Sequence, residues 1–102
     1  MNEFAKAKEN LIPYPDDEAA SEIFFIMRNE IGPDRGIRVL GLDCFGISYD
    51  PGSIFLRAHY AVEDEPRAEF EVLINTFTIK LAGQIAADQL IKEVGRIYGD
   101  LI

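Results

Sequence analysis

The stretch from Gly36 to Val62 constrains the fold more than any other part of the chain. It holds two long runs of alternating, mostly apolar residues, a pattern typical of β-strands. Asp50-Pro51-Gly52-Ser53 stands between the two runs and is the strongest turn signal in the sequence. The stretch therefore predicts an antiparallel hairpin. Because proline fixes a negative φ, Pro51 cannot open a primed hairpin turn, and the register stays open to within one residue.

Side-chain alternation gives the predicted hairpin two faces, and both are rich in apolar residues. One face carries Ile37, Val39 and Asp43 of the first strand. The opposite face is defined by a second set of apolar side chains: Leu40, Leu42, Cys44, Phe55 and Ala61. Helices are expected on the first face. The second face is too apolar for full contact with water, so we expect the N-terminal segment, a second copy of the chain or a partner to cover it.

Three helices are predicted around the hairpin. Residues 2–10 form a short one, and Leu11-Ile12-Pro13-Tyr14-Pro15 is an extended connector, because proline pushes its predecessor out of the helical region. Asp16 is placed to cap the second helix, which Gly32 and Pro33 end. Its buried stripe is spaced by three and four residues: Ala20, Ile23, Phe24, Met27 and Ile31. The last helix covers about residues 84–101, after a break near Gly83.

Residues 68–81 fit two templates. Apolar residues at helical spacing favour a helix, whereas alternation with a shift of phase at Asn75 favours a bulged strand. The many β-branched residues in this segment favour the strand. The chain is thus predicted to be a single α+β domain over residues 1–102, in the order α-α-β-β-β-α. It is a three-stranded antiparallel meander with N-terminal and C-terminal helices packed on it.

Charge and composition exclude several classes of protein. The net charge of −8 argues against binding nucleic acid, which needs a basic surface. The sequence has no apolar run long enough for a membrane span and no signal-peptide pattern at its start, so we expect no membrane association and a cytoplasmic protein. A single cysteine suits a reducing compartment. With one His, one Cys and no calcium-loop spacing, the sequence predicts no metal site. It also contains no phosphate-cradling loop, so we expect no cofactor.

Two pairs of residues are candidates for chemistry or ligand binding. With Pro51-Gly52 as a two-residue loop, Cys44 lies opposite His59 on the same face, and such a contact can activate a thiol for covalent catalysis. The alternative is an ordinary cross-strand pair, and in this register Asp43 points away from His59. The same register places Asp43 opposite Tyr60, where a small pocket between sheet and helices is one alternative and a structural hydrogen bond the other. We assign no catalytic residue, so we do not expect an enzyme.

The remaining candidates point to protein binding. Acidic residues are concentrated in the loop after the hairpin and in the predicted strand that follows this loop. They form an acidic cluster: Glu63, Asp64, Glu65, Glu69 and Glu71. Such a cluster either keeps a sheet edge from aggregating or attracts a basic partner. In length, acidity and element order the chain is similar to small bacterial secretion chaperones and to immunity or inhibitor proteins, an architectural likeness without a shared residue motif.

We therefore expect a non-catalytic protein-binding domain of adaptor, inhibitor or chaperone type. It is expected to act as a homodimer or with a protein partner, and the surface around Leu42, Cys44 and Phe55 together with the acidic cluster is the expected binding site. The alternative is a small-ligand-binding protein or a minor enzyme with its pocket near Asp43 and Tyr60.

Overall fold

A four-stranded antiparallel sheet forms the centre of the fold. The computed structural model describes residues 2–75 and 78–99. Its helices and strands, in chain order, are α1 (Glu3–Lys8), β1 (Leu11–Pro13), α2 (Ala19–Ile31), β2 (Ile37–Ile47), β3 (Ser53–Val62), β4 (Ala68–Asn75) and α3 (Ile79–Tyr98). The strands lie side by side in the order β1-β2-β3-β4. The predicted α+β class, with helices at both ends of the chain, is confirmed.

The number of strands is a correction, because the sheet has four strands and not three. Residues Leu11–Pro13, predicted to be a connector, form β1 and pair with residues 45–47 of β2. The prolines that exclude a helix here impose extended backbone, which is also strand geometry. Proline donates no hydrogen bond and is tolerated in an edge strand such as β1, where one side needs no partner.

The register of the β2–β3 hairpin differs from the prediction by three positions. Cys44 lies opposite Leu56, and His59 lies opposite Gly41. Residues 48–52 connect the strands, and the Asp50 carboxylate organises them by accepting a hydrogen bond from the Gly52 N–H at 3.1 Å. The expected uncertainty of one residue was therefore too small. Because side chains alternate, an odd displacement exchanges the faces of one strand relative to the other.

A β-bulge at Leu40 changes the faces a second time. Val39 is opposite Tyr60, but Gly41 is opposite His59, so Leu40 is the extra residue on β2. Beyond the bulge Leu42 and Cys44 turn to the helix side, where they pack against the main core. The predicted second face is corrected accordingly: Phe55 and Ala61 do lie there, and Leu42 and Cys44 do not.

Helices α2 and α3 pack side by side on the first face of the sheet, with α2 over β2 and α3 against β4. The core between them and the sheet includes Ile23 and Met27 of α2 and Leu90 and Val94 of α3, all fully buried. No helix in the described part of the chain is long and apolar enough to cross a membrane.

Residues 68–81 are strand in their first part and helix in their last. β4 ends at Asn75, and α3 begins at Ile79 after Thr78, whose hydroxyl accepts a hydrogen bond from the Leu81 N–H at 3.2 Å. Residues 76–77 of the predicted bulged strand, and the predicted end of the last helix near residue 101, lie outside the described residues. The predicted break near Gly83 is wrong, because Gly83 lies inside α3 and is buried against Ile26 of α2.

The second face of the sheet is covered at one end by α1. Ala7 packs there in a small cluster with Ile47 and Phe55, and the rings of Phe4 and Phe55 lie 5.4 Å apart, centre to centre. The N-terminal segment, which was one of the three alternatives expected to cover this face, therefore covers this end of it. Beyond α1 the face carries polar and charged side chains such as Asp43, His59 and Glu69, together with Ala61.

Candidate functional site

The outer edge of β2 is open over residues 37–44. β1 pairs only with residues 45–47 of β2, and no other strand of the described chain lies on that side. An edge of this kind presents backbone N–H and C=O groups that a further strand can bind. Leu40, the bulged residue, is in the middle of the open edge and is 46% exposed.

Two grooves lie beside this open edge. The larger has a volume of about 1070 Å³ and separates the C-terminal part of α2 from the first half of β2. Its apolar wall includes Phe25, which is 58% exposed, and Leu40. The smaller groove, of about 440 Å³, lies at the other end of the edge between Ile12 of β1 and the start of α2. Ile12 is 43% exposed, so apolar side chains border the edge at both ends and at its centre.

The larger groove carries charges of both signs. Arg28 and Arg38 lie on its wall together with Glu63 and Asp64 from the β3–β4 connection. One guanidinium nitrogen of Arg38 donates a hydrogen bond to the Glu63 carbonyl oxygen at 3.2 Å. This bond holds the connection against the start of β2. The predicted acidic cluster is therefore split, with Glu63 and Asp64 at the groove and the β4 members elsewhere.

The other members, Glu69 and Glu71, lie on the second face among basic side chains. Glu71 accepts hydrogen bonds from Lys8 at 2.7 Å and from Arg57 at 3.0 Å. The Lys8 hydrogen bond is the main reason why the pKa of Glu71 is lowered, and the Arg57 bond adds to it. Glu65 is exposed in the connection. The Glu71 carboxylate is thus already engaged within the chain.

His59 lies between two carboxylates on this face. Its Nε2 is 3.3 Å from Oδ2 of Asp43, and its Nδ1 is 3.6 Å from Oε1 of Glu69. Nδ1 is buried and has no hydrogen-bond partner within the described chain. The expectation that Asp43 points away from His59 is corrected, since the shifted register and the bulge put both side chains on one face.

Cys44 is on the opposite side of the sheet from His59, so the two do not form a catalytic pair. Burial, with a smaller contribution from the Asp16 carboxylate, raises the pKa of Cys44 to about 11. The thiol therefore stays protonated at neutral pH, and thiolate is the nucleophilic form. The pair Asp43 and Tyr60 is also divided: Tyr60 is buried in the helix-side core, while Asp43 is on the other face. They do not line a common pocket between sheet and helices.

The predicted binding residues are not brought together by the fold. Leu42 and Cys44 are half-buried on the helix side next to the open edge, and Phe55 is fully buried beneath α1. Sequence reasoning missed Phe25, Ile12 and the role of Leu40. A signal existed for Phe25, because it adjoins Phe24 and falls outside the three- and four-residue spacing of the buried stripe of α2.

No group of three or more metal-ligating side chains occurs among residues 2–75 and 78–99. No family model, no curated protein and no solved structure matches the chain.

Proposed function

We propose that the protein is a non-catalytic protein-binding domain that binds an extended segment of polypeptide at the open edge of β2. The observation that carries the proposal is the combination of an unpaired strand over residues 37–44 with exposed apolar side chains beside it. Leu40 is at its centre, and Phe25 and Ile12 are at its sides. On soluble proteins, apolar side chains grouped around one surface feature mark a binding site more often than scattered ones do.

Strand addition explains how such an edge binds. An added strand forms main-chain hydrogen bonds with β2, which supply affinity with little dependence on sequence. Its alternate side chains point to the two faces of the sheet. Those on the helix side enter the 1070 Å³ groove beside Phe25, and the shape of that groove then selects among segments.

The charges at the edge set the orientation of the segment. Arg28 and Arg38 line the groove together with Glu63 and Asp64, so a bound segment meets both signs. The site expected from the sequence carried charges of one sign only, those of the acidic cluster, beside Leu42, Cys44 and Phe55. Charge complementarity of this kind affects the choice and orientation of a partner more than the affinity itself.

Site-specific photo-crosslinking tests the proposal. A benzophenone amino acid replaces Leu40 in one variant and Leu81 in a second, and both variants are irradiated in cells of the native host. Leu81 is the matched control, because it is the same residue type with the same exposure of 46% but lies in the first turn of α3. We expect the Leu40 variant to yield a discrete crosslink to polypeptide and the Leu81 variant to yield little.

A second measurement uses lysine at the same two positions. For this measurement the benzophenone amino acid replaces Phe25. Leu40→Lys places a charge at the centre of the edge and should abolish the crosslinked complex, whereas Leu81→Lys should leave it unchanged. Equal crosslinking from positions 40 and 81, or no discrete product from position 40, would contradict the proposal.

A further inference from the structure

We infer that the polypeptide bound at the open edge is the β2 strand of a second copy of the same chain. This inference rests on the proposed function and names its partner. In such a dimer the two β2 strands run antiparallel around a two-fold axis, so that each residue pair occurs twice. The two sheets then join into one continuous sheet.

The faces of β2 match when the open edge, residues 37–44, is paired about its own centre. Opposed residues in an antiparallel pair must share a face of the sheet. Ile37, Val39, Leu42 and Cys44 face the helices, while Arg38 and Asp43 face the other side. Pairing Arg38 with Asp43 of the second copy also pairs Val39 with Leu42 and Ile37 with Cys44. Every one of these pairs shares a face.

This register follows from the bulge. On a regular strand, positions 38 and 43 would lie on opposite faces, because they are an odd number of residues apart. The extra residue Leu40 brings them to the same face. The axis then passes between Leu40 and Gly41. That point is the middle of the open edge, residues 37–44, which ends where β1 begins to pair with Phe45.

Charge complementarity supports the same register. Arg38 of each copy meets Asp43 of the other, which gives two oppositely charged pairs. Within the described chain no carboxylate lies within ion-pair distance of Arg38, which donates only to the Glu63 carbonyl oxygen. The Asp43 side chain is 54% exposed and contacts His59 at 3.3 Å. Arg38 and Asp43 are therefore each placed to form an ion pair with a residue of the second copy.

Bulges and charged residues also protect natural sheet edges from pairing. The two explanations predict different behaviour in solution. A protected edge leaves the chain monomeric, and a self-complementary edge gives a dimer with a defined register. Mixing single-cysteine variants separates them.

The cysteine experiment uses two variants, Arg38→Cys and Asp43→Cys, each in a Cys44→Ala background that removes the native thiol. The Cα atoms of directly opposed residues lie about 4.5–5.5 Å apart, within the range that a disulfide spans. After mild oxidation of each variant alone, we expect little crosslinked dimer. After oxidation of the mixture, we expect a disulfide-linked dimer of twice the 11.5 kDa chain mass.

Sedimentation equilibrium measures the association itself. At about 0.15 M salt, repulsion between the two acidic chains is screened beyond about 8 Å. Arg38→Glu should weaken dimerisation by on the order of tenfold or more, because it places like charges opposite each other twice. Arg67→Glu is the matched control: it makes the same change of charge at an exposed position before β4 and should leave the dissociation constant unchanged. Circular dichroism confirms that each variant is folded.

The outcomes also separate this inference from the proposed function. A monomer at about 100 μM, a concentration at which even a weak dimer would be populated, overturns the inference. A dimer in which the mixed cysteine variants do not crosslink preferentially overturns it as well. If photo-crosslinking at position 40 then gives a product with a different polypeptide, the proposed function stands with another partner. If position 40 gives no product at all, both fail.

Discussion

The contact between α2 and α3 at Gly83 makes a quantitative prediction about stability. A Cβ atom built on Gly83 would lie 2.6 Å from Cβ of Ile26 and 3.5 Å from the carbonyl oxygen of Ile23. Cβ of Ile26 is bonded to the backbone, so a rotamer change cannot move it away. Replacing Gly83 with alanine therefore forces the two helices apart, and this affects the core beneath them.

The size of the effect follows from two opposed contributions. Alanine is favoured over glycine inside a helix by about 1 kcal/mol. Overpacking a close contact typically costs about 1–3 kcal/mol. We therefore expect Gly83→Ala to lower the free energy of unfolding by roughly 0–2 kcal/mol. Gly95→Ala is the control in the same helix. Apart from its chain neighbours and the backbone of its own helix, no heavy atom lies within 4 Å of a Cβ built on Gly95. This replacement should raise the free energy by about 0.5–1 kcal/mol.

The difference between the two variants isolates the steric contribution, since helix propensity is common to both. It should amount to about 1–3 kcal/mol and is measured by urea unfolding followed by circular dichroism. In thermal unfolding, each kcal/mol corresponds to roughly 4–8 °C for a domain of this size. If Gly83→Ala stabilises the protein as much as Gly95→Ala does, the close approach of α2 and α3 is refuted.

Three further predictions concern single side chains. Burial and then the Asp16 carboxylate raise the pKa of Cys44 to about 11, so the rate of alkylation by iodoacetamide should rise with pH up to that value; a plateau below about pH 9 would be inconsistent with a half-buried thiol. The Lys8 hydrogen bond lowers the pKa of Glu71 in the folded state, which contributes stability above the unfolded-state pKa that is lost as pH falls through the folded-state pKa. Glu71→Gln should therefore cost about 0.5–1 kcal/mol at pH 7 and almost nothing near pH 2 in urea unfolding, and an equal cost at both would count against the ion pairs. Asp50→Ala removes the acceptors that hold the β2–β3 connection and should cost about 1–2 kcal/mol in the same assay, whereas a neutral result would show that the connection holds without them.

The parts of the fold that follow from local pattern were predictable. The buried stripe of α2 includes Ile23, Met27 and Ile31, and Gly32 ends the helix with φ at +75°. The two strands of the hairpin and the first part of β4 also follow from alternation. These features depend on neighbouring residues alone, so sequence spacing is enough to find them.

The hairpin register was not predictable in the same way, because regular alternation along β2 puts Arg38 and Asp43 on opposite faces and hides the polar face that the bulge creates. A strand with one polar face resists slipping, since a shift by one residue would bury charges. Here the shift depends on the connection, where Asp50 accepts from the Gly52 N–H and also from the Ser53 hydroxyl at 2.6 Å. The connection stabilised by these hydrogen bonds comprises residues 48–52 and is longer than the predicted two-residue loop Pro51-Gly52. Every candidate pair that depended on the shorter loop, including Cys44 with His59, was displaced with it.

The bulge connects the fold to the proposed binding site. A glycine inside a strand, such as Gly41, often marks a bulge, and the apolar positions shift phase around it, from Ile37 and Val39 to Leu42 and Cys44. Each half of the open edge then presents two apolar side chains to the helices and one charged side chain to the other face. The charges in the two halves, Arg38 and Asp43, are opposite. A regular strand of the same composition would separate these charges onto different faces, so the irregularity at Leu40 is what makes the edge complementary to itself.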